Sequence, residues 1–365
     1  MRTGKTSPFR WGFARGGFTV LKLEIENVDL KKVVDSVVDY TLGMDMTWNW
    51  PCGVAYYGVS RAYEVTGEQS YLERMADWCE EYIEAGLPAE WTVNTCAMGH
   101  MLLTLYEQTK EQKYLDLIVS KLDFLENRAF RFGDHVLQHT VSDKNDFPEQ
   151  AWADTLFMAG YFQLRAGVLL GEKPLVEDAL HQFFWHINYL QNESTSLWYH
   201  GYNHIHQNHM SGIYWARANA WAAYTMSRVG KVLPESYLYP PYMHISSSLR
   251  DQLAAIKKLQ KPDGLWGTVL DHPEAYGEVS ATAGIAAAMV MQGNPLHNQY
   301  VKQALQGLLN NISDNGRVLN VSGGTAVMNN LAGYLGIDRK WAQGWGQGLA
   351  LALLSAVIEN TNLKR

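Results

Sequence analysis

The stretch Tyr63-Glu-Val-Thr-Gly-Glu-Gln-Ser-Tyr71-Leu72 returns 43 positions later as Tyr106-Glu-Gln-Thr-Lys-Glu-Gln-Lys-Tyr114-Leu115. The helices that follow repeat as well. Tyr71, Leu72, Met75, Cys79 and Tyr82 are matched by Tyr114, Leu115, Ile118, Leu122 and Leu125. That spacing places one apolar stripe along a helix. A period of this size means stacked helical hairpins, none of which buries its apolar face alone.

Helices rich in small residues, with apolar character on most faces, recur through the chain. Six are expected at 53–66, 95–109, 154–170, 216–230, 280–292 and 346–359. Six more amphipathic segments alternate with them, at 28–42, 70–85, 112–126, 174–190, 242–259 and 296–311. Six buried and six half-exposed helices in alternation predict an all-α closed double ring, an (α/α)6 barrel; an open solenoid is the structural alternative. No Pro/Gly/Ser-rich linker interrupts the series, so residues 28–365 are expected to form one barrel domain, with 1–27 as an N-terminal extension. Short strands or hairpins are expected at 135–139, 196–200, 264–267 and 316–320. These long connections feed the N-terminal ends of the inner helices, where free N–H groups and the helix dipole favour anions. Function is placed at that end.

The net charge is −7 and no Lys/Arg cluster resembles a phosphate-backbone footprint, which argues against nucleic acid. An acidic substrate therefore needs a cation within the site itself. Three cysteines form no metal-like pairing, and no apolar run approaches a membrane span of about 20 residues. The first 30 residues lack the apolar core of a signal peptide. A cytoplasmic protein, monomer or homodimer, with no membrane partner is the expectation.

Asp154 opens the third inner helix in Phe147-Pro-Glu-Gln-Ala-Trp-Ala-Asp154. A helix cap is one reading. The other is an acid beside Trp152 at the mouth of an apolar barrel, where desolvation raises a carboxyl pKa enough to hold a proton near neutrality. Arg217, in Tyr214-Trp-Ala-Arg-Ala-Asn-Ala-Trp221, needs a partner in so apolar a segment. It is either a structural ion pair or a two-pronged carboxylate holder. His200, His204, His206 and His209 crowd one loop, but with no HExxH helix or nearby ligand set, substrate hydrogen bonding by one or two of them is preferred, plain solvated loop histidines for the others, and metal comes third. Trp50 and Trp345 also precede inner helices, which points to a sugar-stacking rim. The segment Val321-Ser-Gly-Gly-Thr325 is a weak phosphate-nest candidate.

The runs FPEQAWADTLFM, LWYHGYN, YWARANAW and WNWPCGVAYYGV resemble glycoside hydrolase family 105, the unsaturated rhamnogalacturonyl hydrolases, from about Met44 to the last helix. The resemblance implies an (α/α)6 barrel shared with unsaturated glucuronyl hydrolases, no metal or organic cofactor, and an unsaturated uronyl oligosaccharide substrate. It implies Asp154 as general acid/base and His139, His200, Trp215 and Arg217 as substrate contacts, with Trp50, Trp152 and Trp221 lining the pocket. Where family members with a second essential carboxylate carry Asp, this chain has Asn94, so a two-carboxylate scheme is in doubt. The implied chemistry is hydration of the C4=C5 double bond. A sugar 2-epimerase using His139 and His200, and a non-catalytic glycan-binding toroid, are the competing readings.

Overall fold

A computed structural model describes residues 28–362, apart from 89–90, 235–236 and 238–239. The extension at 1–27 lies outside the described residues. Helices α1 (Leu30–Leu42), α3 (Gln69–Glu84), α5 (Gln112–Asn127), α7 (Lys173–Leu190), α9 (Pro240–Ile256) and α11 (Asn298–Leu309) form the outer layer. The inner layer is α2 (Trp50–Thr66), α4 (Gly99–Thr109), α6 (Phe162–Leu170), α8 (Ala216–Val232), α10 (Val279–Gln292) and α13 (Gly344–Asn362). The expected double ring is the observed architecture. Outer helices bury one stripe, as α1 does with Val34, Val37, Val38 and Thr41, whereas α10 is buried at every residue from Val279 to Met291.

The ring closes between its first and last inner helices. A Cβ on Gly58 of α2 would lie 2.6 Å from Gly348 Cα, and one on Gly348 of α13 would lie 2.1 Å from Val54 O. Only glycine permits this approach, so these two positions fix how tightly the ends of the series meet. Elsewhere Gly316 (φ 84°) turns the chain so closely over α1 that a Cβ would sit 1.9 Å from Ser36 O.

Two inner positions depart from regular α-helix. The second begins as a 3-10 turn at Asn94–Met98, and the third begins as a π-helix at Leu156–Tyr161. Such irregular turns cost hydrogen-bond quality and recur at functional sites. Three two-stranded antiparallel pairs cap the same end: β1 (Arg131–Phe132) with β2 (Val136–Leu137), β3 (Gln150–Trp152) with β4 (Gly201–Asn203), and β5 (Trp266–Gly267) with β6 (Gly277–Glu278). The segment expected at 196–200 forms only a bridge between Trp198 and Gln191, with β4 beginning just beyond it at Gly201, and the segment at 316–320 forms only a bridge between Ile312 and Val318. A short helix, α12 (Leu331–Leu335), in the last long connection has no counterpart in the sequence reading. Five residues carry too little periodicity to announce a helix. No described helix is long and apolar enough to cross a membrane.

Candidate active site

All inner helices point their N-termini to one end, and a cavity of about 210 Å³ opens there. Trp50, Asn94, His139, Trp152, Asp154, Trp215, Arg217 and Trp221 line it, together with Val141, Phe147, Met158 and Gly324 to Ala326. Among the residues that the family resemblance brings to the site, His200 alone is not in the lining. It stands behind Asp154, with Nε2 3.4 Å from Oδ2.

The β3–β4 pair creates this neighbourhood. Trp152 pairs with Gly201, and Ala153 N–H donates to His200 O over 3.1 Å, so the residue entering the third inner helix lies beside the residue entering β4. His139 N–H donates to Gln150 O, and Asn94 N–H donates to Thr140 O, tying the second inner segment to the same corner. Beneath Asn94, the buried Lys121 of α5 donates to Thr95 O over 3.2 Å and sits 3.9 Å from the Trp91 ring. Burial lowers Lys121 to about 8.

Each ionisable group at the mouth is oriented by a neighbour. The His139 ring stacks on Trp152 at 4.4 Å and 13°, and its Nδ1 bonds Thr155 Oγ1 at 3.0 Å. Burial lowers His139 to about 4, so the ring is neutral at pH 7. His200 Nδ1 lies 2.8 Å from the Tyr334 hydroxyl, which also accepts from Met328 N–H at 3.2 Å. Nε2 faces the Asp154 carboxylate, which only accepts, so the ring hydrogen is assigned to Nε2 and Nδ1 takes the Tyr334 proton. Burial lowers His200 as well.

Asp154 caps nothing: among the described residues no hydrogen bond links its carboxylate to a helix N–H, and its buried Oδ2 faces His200 Nε2 at 3.4 Å. Burial pushes its pKa up, but His200, His139 and Arg217 together pull harder, and the net shift is downward. This corrects the expectation of a raised value. An apolar segment announces desolvation, while the compensating charges arrive from distant parts of the chain.

Arg217, only 1% exposed, is both ion pair and pocket wall. Nη1 lies 3.6 Å from Glu278 Oε1 and donates to Ser322 O and Oγ at 2.9 and 2.6 Å; Nη2 donates to Gly323 O and Thr325 Oγ1 at 2.7 and 3.2 Å. Both terminal nitrogens are thus committed within the protein. The guanidinium also packs 4.5 Å from the Trp215 ring. The Ser322–Thr325 segment turns its carbonyls to this arginine and forms one side of the pocket. Trp50 stacks on Trp345 at 4.5 Å beneath Gly324.

Three of the predicted site residues present buried polar atoms without a hydrogen bond among the described residues, Asn94 Oδ1, Trp215 Nε1 and Trp221 Nε1, while Asp154 Oδ2 and His200 Nε2 face each other at 3.4 Å. Native proteins seldom leave such atoms unpaired, and their convergence on one cavity marks a place prepared for a polar ligand. The other loop histidines stand apart from it. His209 stacks on Tyr199 and bonds Tyr189 O, His204 packs on Phe132, and no metal-binding cluster occurs among the described residues. Sequence reasoning missed Thr155, Glu278 and Tyr334, which hold His139, Arg217 and His200.

An aromatic, acid-bearing pocket at the mouth of an (α/α)6 barrel fits the class of glycoside hydrolases. Residues 25–361 match Glycosyl Hydrolase Family 88, and the chain belongs to that family. It is 44% identical to the unsaturated rhamnogalacturonyl hydrolase YesR of Bacillus subtilis, over 93% of this chain and 97% of that protein. A solved structure from Salmonella enterica serovar Paratyphi A, described as a possible member of GH105, superposes with a TM-score of 0.85 at 28% identity. It covers 91% of this chain and 94% of that one. The unsaturated glucuronyl hydrolase of Bacillus sp. GL1 shares the fold, with a TM-score of 0.69 at 15% identity over 89% of this chain and 96% of that one. The chain is a glycosidase, which sets aside the epimerase and the non-catalytic toroid.

Proposed function

We propose that this enzyme removes a 4,5-unsaturated uronic acid from the non-reducing end of lyase-generated oligosaccharides, with unsaturated galacturonyl–rhamnose as the substrate, and that Asp154 does the proton transfer alone. The carrying observation is that, among the described residues, the pocket lining contains a single carboxylate, Asp154, with Asn94 as its polar neighbour. Direct glycosidic displacement needs two carboxyl groups, about 5–5.5 Å apart in retaining and about 6.5–9.5 Å apart in inverting enzymes. Hydration of a double bond needs one acid/base. Protonated Asp154 delivers its proton to C4, positive charge develops at C5 and the ring oxygen, and the resulting carboxylate takes a proton from the water that attacks C5. The hemiketal then opens and releases the neighbouring sugar.

Asp154 is ionised in the free protein at neutral pH, so the reaction needs a source for its proton. The substrate's own carboxylate supplies the drive. Its negative charge opposes the pull of Arg217 and raises Asp154, which takes up a proton as the sugar binds. Arg217 attracts that carboxylate by its charge rather than by a free two-pronged fork, since both terminal nitrogens are already engaged. Trp50, Trp152, Trp215 and Trp221 stack on or bond the ring, and Asn94, His139 and His200 bond its hydroxyls. The three cysteines, all buried and free, support a reducing, cytoplasmic setting.

The test follows the ultraviolet absorbance of the double bond in an unsaturated uronyl–rhamnose disaccharide. Wild type removes it and Asp154→Asn does not. Unchanged absorbance with wild type across several unsaturated disaccharides refutes the proposal.

A further inference from the structure

Glu278, the last residue of β6, is fully buried and lies outside the pocket lining. Its side chain caps α10, taking the Ala281 N–H at 2.6 Å, and accepts from Ser280 Oγ at 2.8 and 2.9 Å. The same carboxylate takes Ser322 N–H at 2.9 Å and faces Arg217 Nη1 at 3.6 Å. Capping α10 alone requires neither of the last two contacts. Ser322 is also the residue whose carbonyl and hydroxyl hold Arg217. One buried acid therefore grips the arginine and the wall that the arginine grips.

We propose that Glu278 is a positioning residue for the hydrolytic site, holding Arg217 against the Ser322–Thr325 wall and balancing guanidinium charge that would otherwise act on Asp154. The inference rests on the reading of Asp154 as the acid. Arg217 interacts electrostatically with both carboxylates, Glu278 behind it and Asp154 in front. A buried arginine between two acids divides its influence, and neutralising the rear acid leaves the whole charge to the front one. The other groups facing Asp154 are His200 from the connection before β4, His139 from the connection after β2, and Tyr334 from α12. None of them contacts Glu278; the group that meets both acids is Arg217, which Tyr276 also faces.

The sign of the effect separates this role from a purely structural one. Glu278→Gln keeps the shape and removes the charge. Asp154 then holds its proton less well, and the alkaline limb of the kcat profile moves to lower pH by about one unit, a tenfold loss of rate on that limb. KM for the anionic disaccharide does not rise, because the uncompensated guanidinium attracts it more strongly. Glu278→Asp keeps the charge and leaves the limb at its wild-type pH, whatever the shorter side chain does to the maximal rate. A limb that stays within about 0.3 unit in Glu278→Gln, with activity falling only as the melting temperature falls, overturns the proposal. Should Glu278→Gln not fold, Ser322→Ala removes the hydroxyl shared between Arg217 and Glu278. With the Glu278 charge kept, the limb stays at its wild-type pH while KM for the anionic disaccharide rises as Arg217 loosens from the wall, and an unchanged KM there counts against the proposal. Wild-type protein with no activity on any unsaturated disaccharide refutes the functional reading. A normal wild-type limb that the Glu278 variant leaves in place refutes the role of Glu278 alone.

Discussion

The two ends of the barrel bore are built from the same six helices and treat polar atoms in opposite ways. Deeper in the bore, from the middle of the inner helices downward, most polar groups bond to one another. Tyr57 and Tyr224 hydroxyls meet at 2.8 Å, Arg228 Nε donates to Tyr161 at 3.1 Å, Arg165 lies 3.2 Å from His100 Nδ1, and Arg61 pairs with Glu359 at 2.7 Å. Cations at helix C-termini also answer the dipoles that converge there. At the mouth, Asn94, Trp215 and Trp221 keep buried polar atoms without a hydrogen bond among the described residues, and Asp154 Oδ2 and His200 Nε2 stand 3.4 Å apart. The floor spends its polar chemistry on holding the ring together, and the mouth withholds its own for a ligand.

Asp154→Asn attacks that contrast most directly. We expect kcat to fall by about 10²–10⁴-fold while the melting temperature holds or rises, because a buried charge without a full set of partners is removed. A variant that loses stability in step with activity would make Asp154 a floor-like residue. Next in size, Tyr224→Phe leaves the Tyr57 hydroxyl without its bond. Denaturant unfolding should show a loss of about 2 kcal/mol with kcat/KM unchanged, and a kinetic defect would mean the two ends are coupled. Tyr334→Phe frees His200 Nδ1 and the ring tautomer it fixes. The expected loss is about tenfold in kcat, or about 1.4 kcal/mol, with KM nearly constant.

The smallest signal is the proton that accompanies binding. A saturated uronate, titrated calorimetrically near pH 5 in two buffers of different ionisation enthalpy, should take up close to one proton with wild type and none with Asp154→Asn. The sign follows from the shifts. Asp154 is lowered in the free site and raised when a carboxylate joins it, so uronate affinity weakens as pH rises. Uptake unchanged in the variant would place the proton elsewhere.

The contrast also explains what was legible in the sequence. The ring was, because a repeat with helical periodicity leaves little choice of architecture. The pocket lining was largely legible too: Trp50, Asn94, His139, Trp152, Asp154, Trp215, Arg217 and Trp221 meet in one cavity. These residues precede or open inner helices, where position along the chain translates directly into position at the mouth. The supporting residues were hidden. Tyr334 lies on a five-residue helix, and Glu278 sits in Tyr-Gly-Glu-Val, where an acid reads as an ordinary cap. Their importance comes from partners far along the chain, His200 for one and Arg217 for the other. The direction of the Asp154 shift failed for the same reason.

The glycine contact between α2 and α13 makes the ring a circle in space, although the chain is a line. Helix α13 runs from mouth to floor and α1 from floor to mouth, and the two pack together, so both ends of the described chain arrive at the floor. Which hairpin is translated first is then largely a matter of bookkeeping. Joining the two ends at the floor and opening the chain in another exposed floor connection should yield a permuted protein with the same mouth, the same pocket and the same chemistry.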